Sequence, residues 1–442
     1  MGGFHDSLGL PVAGATPEAL TFYDQAVHEL QCFTGDPVAT IDKAIEAAPD
    51  FVMAHVFKGG LFALSTDREA LAVARESARL AGALPGSERE RAHVAALGQL
   101  AEGRWHGASE ILEDLTIEEP RDVLALMVGH QVDFFTGNAR LLRDRIARAM
   151  PNWSQDMPGY HAMLAMQAFG FEETADYGRA EAFGRRAIEL QPRNGWAQHA
   201  VAHVMEMQNR QHDGIAWMRD NEAQWTKENF LQVHNWWHLA LFHYDLGETD
   251  EMLALYDGPI YGERSPLALN MVDASALLWR LYLGGVDVGD RWRGLAANWA
   301  PKATAGNYAF NDAHAMMAFV GAGLSGTAED LLAAQRDAMS AGDDNSAFTR
   351  DVGHPVCLAL KAFGAGDYVK AAQLLRPVCA ISSRFGGSHA QRDVLELTLI
   401  EAALRSGQVQ LARALTAERH SARPDSPLSA LFVARAAGIA AD

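Results

Sequence analysis

Apolar residues along this chain recur at three- and four-residue intervals, polar positions fill the other faces, and runs that alternate apolar with polar are rare. That period predicts amphipathic helices rather than strands. Alanine, leucine and glutamate, all strong helix formers, carry most of the pattern. Strand pairs joined by Asn-Gly or Asp-Gly are nearly missing, and "RNGWAQ" reads better as a helix start than as a turn. The expectation is an all-α chain.

A second, longer period lies over the first. The stretch "HAMLAMQAFGFEETADYGRAEAFGRRAIELQP" runs from His161 to Pro192. Its small residues Ala168, Ala180, Gly184 and Ala187 fall where the two helices of a hairpin must nest, and proline ends the unit because it cannot continue a helix. Weaker copies close on Pro120 with Ala108 at the small position, carry Gly366, Tyr368 and Ala371, or carry Gly407 and Ala412 before Pro424. Helix-start signals agree: Thr16 before Pro17, Ser87 with Glu90, and Ser388 with Gln391. The prediction is a tetratricopeptide-repeat-like α-solenoid, a right-handed superhelix of helical hairpins spanning residues 1–442 as one domain. Copies between 245 and 345 are diverged, and residues 286–310 are expected to be an irregular insertion or hinge.

Composition narrows the function classes. A formal net charge of −19 with no basic stripe argues against nucleic acid and anionic membranes as partners. Cys32, Cys357 and Cys379 show no paired spacing, which fits a reducing compartment. The opening residues have neither a basic nor an apolar leader segment, and Asp6 stands where a myristoylated Gly2 would want Ser or Thr. The expectation is a cytoplasmic protein, with an oligomer possible.

The candidate chemistry lies in two short stretches, "WAQHAVAHVMEMQ" from Trp196 and "VHNWWHLALFHYD" from Val233. Each holds two histidines four residues apart, His199 with His203 and His234 with His238. Chance spacing of the histidines would give about 0.6 such pairs, so the excess is mild. Four-residue spacing puts both imidazoles on one helical face, where they can reach one ion, as in the zinc-binding HExxH helix. The glutamate of that motif is missing here, since positions 200 and 235 are alanine and asparagine. Glu206 lies one turn beyond His203, and Asp245 lies seven residues beyond His238. Three uses compete: hydrogen-bonded packing among the surrounding tryptophans, a metal-free ligand pocket with Trp196 and Trp237 as walls, and a divalent transition-metal or acid–base centre, zinc for example. His55, His93, His130, His161, His314, His354 and His389 recur near the repeat length, but their phase drifts too much for a column.

Elsewhere, Gly386 and Gly387 precede Ser388 at a helix start with Arg392 one turn on, a possible anion site whose plain alternative is a well-capped helix. Ser388, His389 and Asp393 diverge around that helix start and make no triad. No GxGxxG after a strand and no GxxxxGK[ST] occurs.

Five stretches, "HAVAHVMEM", "HNWWHLALFHYDLGE", "DASALLWRLYL", "HPVCLALKAFGAGDY" and "GGSHAQRDVLE", resemble the tetratricopeptide repeat protein 38 family. The resemblance runs from about residue 20 to 430, densest over 195–285 and 350–400. It implies a tetratricopeptide-type solenoid and supplies no agreed activity. Animal relatives look similar at the histidine pairs, whereas the position of His389 tends to be asparagine there, which favours His199, His203, His234 and His238 as the functional set. The leading expectation is a binding protein holding a small molecule or peptide in a groove lined by Trp196, His199, His203, His234, Trp237 and His238. The alternative is a metal-dependent or histidine-catalysed hydrolase or lyase using the same histidines, with Glu206 as a further ligand or base. A protein–protein scaffold is the third.

Overall fold

The computed structural model describes residues 4–439, so Gly2 lies outside the described residues. The fold class is as expected: all-α, tetratricopeptide-like, with helices pairing as hairpins along the chain. Among the described residues, strand pairing is confined to a short antiparallel pair, Phe4–His5 with Pro11–Val12, and an isolated bridge between Thr34 and Asn229. Contacts divide the described chain into two compact units, residues 4–201 with 221–232, and residues 202–220 with 233–439. The division passes through helix Gly195–Met207, between Val201 and Ala202.

In the first unit the hairpin legible in sequence is formed by helices Tyr160–Glu172 and Tyr177–Leu190. Ala168, Ala180 and Ala187 have no exposed surface, and a Cβ at Gly184 would come within 2.7 Å of Val201 Cγ2. Close approach is what the small residues permit, and one added methyl would have to push a neighbour aside. Caps fix where helices begin. Thr16 Oγ1 accepts from the Ala19 N–H at 3.2 Å, Ser87 and Glu90 form a reciprocal capping box, and Asn194 Oδ1 accepts from the Ala197 N–H at 2.9 Å to open helix Gly195–Met207.

The second unit continues the pattern through hairpin His354–Gly364 with Tyr368–Cys379, and helices His389–Arg405 and Val409–Ala422. Gly366 and Gly407 take φ of 78° and 68° just past their helix ends, where glycine avoids a side-chain clash. Residues 286–310 depart from expectation. They contain helix Arg291–Trp299, whose Trp292, Leu295 and Trp299 are buried, and the Trp299 indole donates to Ser275 Oγ at 2.9 Å. The apolar spacing is helical; glycines at 289, 294 and 306 and Pro301 masked it. Among the described residues no helix is long and apolar enough to cross a membrane.

Candidate metal centre

Helix Gly195–Met207 carries His203 and Glu206, helix Gln232–Leu246 carries His234 and His238, and helix Ala268–Leu283 carries Asp273. Within the second unit His203, His234 and His238 converge: each offers a ring nitrogen, and these atoms lie within 4.8 Å of one another. The His203 and His238 rings stand 4.3 Å apart between centroids, and His234 and His238 stand 4.9 Å apart, nearly perpendicular. His199 stands one turn before His203 on the same helix and belongs to the first unit.

Two of the rings are oriented by carboxylates. His238 Nδ1–H donates to Glu206 Oε2 at 3.0 Å, and His234 Nδ1–H donates to Asp273 Oδ1 and Oδ2, both at 2.9 Å. A proton held on Nδ1 leaves the Nε2 lone pair as the donor atom, the arrangement in which metal-binding histidines are ordinarily held. A carboxylate on histidine is not enough alone. His93 in the first unit also meets one, Asp122 at 2.8 Å, but Arg89 shares that carboxylate at 2.6 Å and Asp122 also caps a helix through the Ala125 N–H. His93 is structural, because among the described residues it belongs to no group of three or more converging metal-ligating side chains; His203, His234 and His238 have both features.

Glu206 is therefore the partner of a ligand rather than a member of the converging set. Burial raises its pKa, against the attraction of Arg423 and His203. The Arg423 guanidinium lies 4.0 Å from Glu206 Oε1. Beyond Glu206, a cavity of about 20 Å³ is lined by Arg280, Asp393, Arg419 and Arg423 among others, room for about one water. Although burial works to raise it, Arg419 and Arg423 hold the Asp393 carboxyl well below the usual range. Asp245 belongs elsewhere: it accepts from Ser426 Oγ at 2.5 Å and from the Gln211 amide.

The aromatic walls expected of a groove are not open. Trp237 has no exposed surface, with His234 stacked on it at 5.3 Å and the Arg280 guanidinium over its ring at 5.3 Å. In the first unit Trp196 is 5% exposed, stacked on Phe33 at 5.3 Å and against His199 at 4.7 Å. Large rings so placed hold the histidines rigid instead of offering a face to a ligand. His234 keeps 16% of its side chain exposed, so the cluster is not sealed on every side.

At Ser388 and Arg392 the structure shows a capped helix start. Ser388 N–H donates to Gln391 Oε1 at 3.0 Å, Ser388 Oγ accepts the Gln391 N–H, and Arg392 turns back onto the Gly387 carbonyl. His354 opens helix His354–Gly364 and donates from Nδ1 to Gln335 Oε1 at 3.0 Å. Asp273 went unread in the sequence. It lies 39 residues from His234, and its only signal was its place at the head of "DASALLWRLYL". Also missed was a trio in the first unit: His28 and Cys32, four residues apart on helix Pro17–Cys32, with His161.

No family model matches this chain. Among solved structures, the chain is similar to one from the crystal structure of the APC/C hetero-tetramer Cut9-Hcn1, at 12% identity and a TM-score of 0.36, covering 86% of this chain and 76% of that one. Yeast Tom70 matches at 13% identity and 0.33, covering 96% and 88%. A chain of the Naa15/Naa10 complex bound to HypK-THB matches at 13% and 0.27, covering 94% and 64%. Likeness at this level is distant and says nothing of what this chain binds.

Proposed function

We propose that this helical-repeat protein binds one divalent transition metal, zinc or iron in class, through His203, His234 and His238 of the second unit. The observation that supports the reading is convergence of three imidazoles, two of them with Nδ1 anchored on Asp273 and Glu206. Imidazole-rich donor sets suit zinc, iron and nickel, and an ion there would act as a Lewis acid toward a small polar substrate, the hydrolase or lyase reading. Asp273 and Glu206 hold the rings and their tautomers. The partial exposure of His234 leaves a side from which a substrate could approach. We further infer membership of the tetratricopeptide repeat protein 38 family from the five stretches quoted above.

The test is elemental analysis of protein purified without an affinity tag. About one equivalent of zinc or iron per chain, lost in His203→Ala and His238→Ala, is the expected result. A folded protein that neither carries nor takes up either ion overturns the reading and leaves the protein-interaction scaffold, which predicts that the same substitutions change nothing in partner capture.

A further inference from the structure

A second cavity lies wholly within the first unit and does not depend on the metal centre. It has a volume of about 420 Å³, within the size range of small-molecule sites. Its polar wall includes Asp24, His28, Gln31 and His161; no lysine or arginine lines it.

Residue types alone would make His28, Cys32 and His161 another metal trio, since their ligand atoms lie within 4.8 Å of one another. The hydrogen bonds say otherwise. Asn194 Oδ1 is committed to the Ala197 N–H as a helix cap, so its amide Nδ2 faces His161 and donates to Nδ1 at 2.8 Å. An imidazole that accepts at Nδ1 carries its proton on Nε2 and has no lone pair there for a metal. Burial, reinforced by the neighbouring His28, lowers the His161 pKa to about 4, so the ring is neutral at physiological pH. Burial likewise pushes the Cys32 thiol up to about 12 and away from the thiolate a metal needs. At His161 the wall is therefore a neutral imidazole with an N–H to give.

Gln31 carries the argument further. It is 5% exposed, it lines the cavity, and its carboxamide makes no hydrogen bond to any described residue. The amide opens onto the cavity, where a ligand that pairs with both its oxygen and its nitrogen exchanges bound water for two direct hydrogen bonds. Gln31 lies beside Gly159, whose φ of +79° and bare Cα leave room for the amide: a Cβ there would fall 2.3 Å from Gln31 Nε2. Asp24 is half-buried, its carboxyl raised in pKa by burial and further by Asp6. A wall with a carboxylate and no cation repels anions.

We propose that this cavity binds a small organic molecule bearing an amide, neutral or positively charged overall, whose carbonyl accepts from Gln31 and from the His161 Nε2–H and whose nitrogen donates to Gln31 Oε1 or Asp24. The probes are benzamide, benzylamine and benzoate, matched in size and differing in charge and hydrogen-bonding groups, titrated into the full chain by ligand-observed NMR. Benzamide is expected to bind most tightly, benzylamine measurably, and benzoate about tenfold more weakly than benzamide or worse. Gln31→Leu, close in volume, should weaken benzamide about tenfold, and Asp24→Asn should weaken benzylamine while sparing benzamide. Unchanged far-ultraviolet circular dichroism and melting temperature show that each variant is folded; if Gln31→Leu fails that check, His161→Gln, which keeps an N–H donor, serves in its place and should retain benzamide binding. Benzoate binding as well as benzamide, no probe binding at all, or a folded Gln31→Leu binding benzamide unchanged would each overturn the proposal.

Discussion

Two clusters in this chain look alike by residue type and differ in chemistry. His203, His234 and His238 in the second unit, and His28, Cys32 and His161 in the first, each bring three metal-competent side chains within 4.8 Å, and each uses a four-residue step along one helix. They part company one bond further out. Carboxylates receive the Nδ1 protons of His234 and His238, whereas an amide gives a proton to Nδ1 of His161. The first arrangement puts a lone pair on Nε2; the second makes it an N–H. The partner behind the ring decides what the ring can do.

The sharpest break in that comparison is removal of a converging ring. His238→Ala should abolish metal binding, read as loss of the stoichiometric ion by elemental analysis, while His28→Ala leaves metal content unchanged. Glu206→Gln keeps all the rings but replaces the carboxylate. It should weaken affinity about 10- to 100-fold, read by chelator competition; unchanged affinity would mean that the partner does not matter.

Converting one cluster toward the other is a subtler test. Asn194→Asp keeps a helix cap of similar strength and puts a carboxylate behind His161. The His161 pKa should rise from about 4 toward the ordinary imidazole range, and cobalt should bind the His28, Cys32 and His161 trio about tenfold more tightly, with thiolate-to-cobalt absorption as the readout. A His161 resonance whose titration does not move in this variant would show that burial alone sets it.

The smallest effect is on stability. His161 has a pKa of about 4 when folded against an ordinary imidazole value of 6.5, so on acidification the unfolded chain takes up the proton first. Its contribution is present above pH 6.5 and is lost as pH falls from 6.5 toward 4, by roughly 1–2 kcal/mol after allowing for the ring's partial exposure. Denaturant titrations of wild type and His161→Gln at pH 7.5 and 4.5 should show the variant with the flatter dependence.

Much of the architecture was legible because its causes are local. Alanine at 168, 180 and 187, glycine at 184 and the caps at Thr16, Ser87 and Ser388 act within a few residues, and each stands where the spacing put it. Helix Arg291–Trp299 was missed because glycine and proline on either side outweighed a short run of correctly spaced tryptophans and leucine. The histidine pairs were legible as faces, but Asp273 and Asn194 reach their imidazoles across 39 and 33 residues, and no local period announces such partners. For the same reason Ser388 and Arg392 looked available in sequence although the capping box and the Gly387 carbonyl engage them.

Gly159 gives the first unit a vulnerability out of proportion to its size. The carboxamide of Gln31 rests where any other residue at 159 would place its first side-chain carbon, so alanine there would both strain a left-handed backbone and dislodge that amide from the cavity wall. The chamber stays open to a guest because a single carbon was left out of its rim.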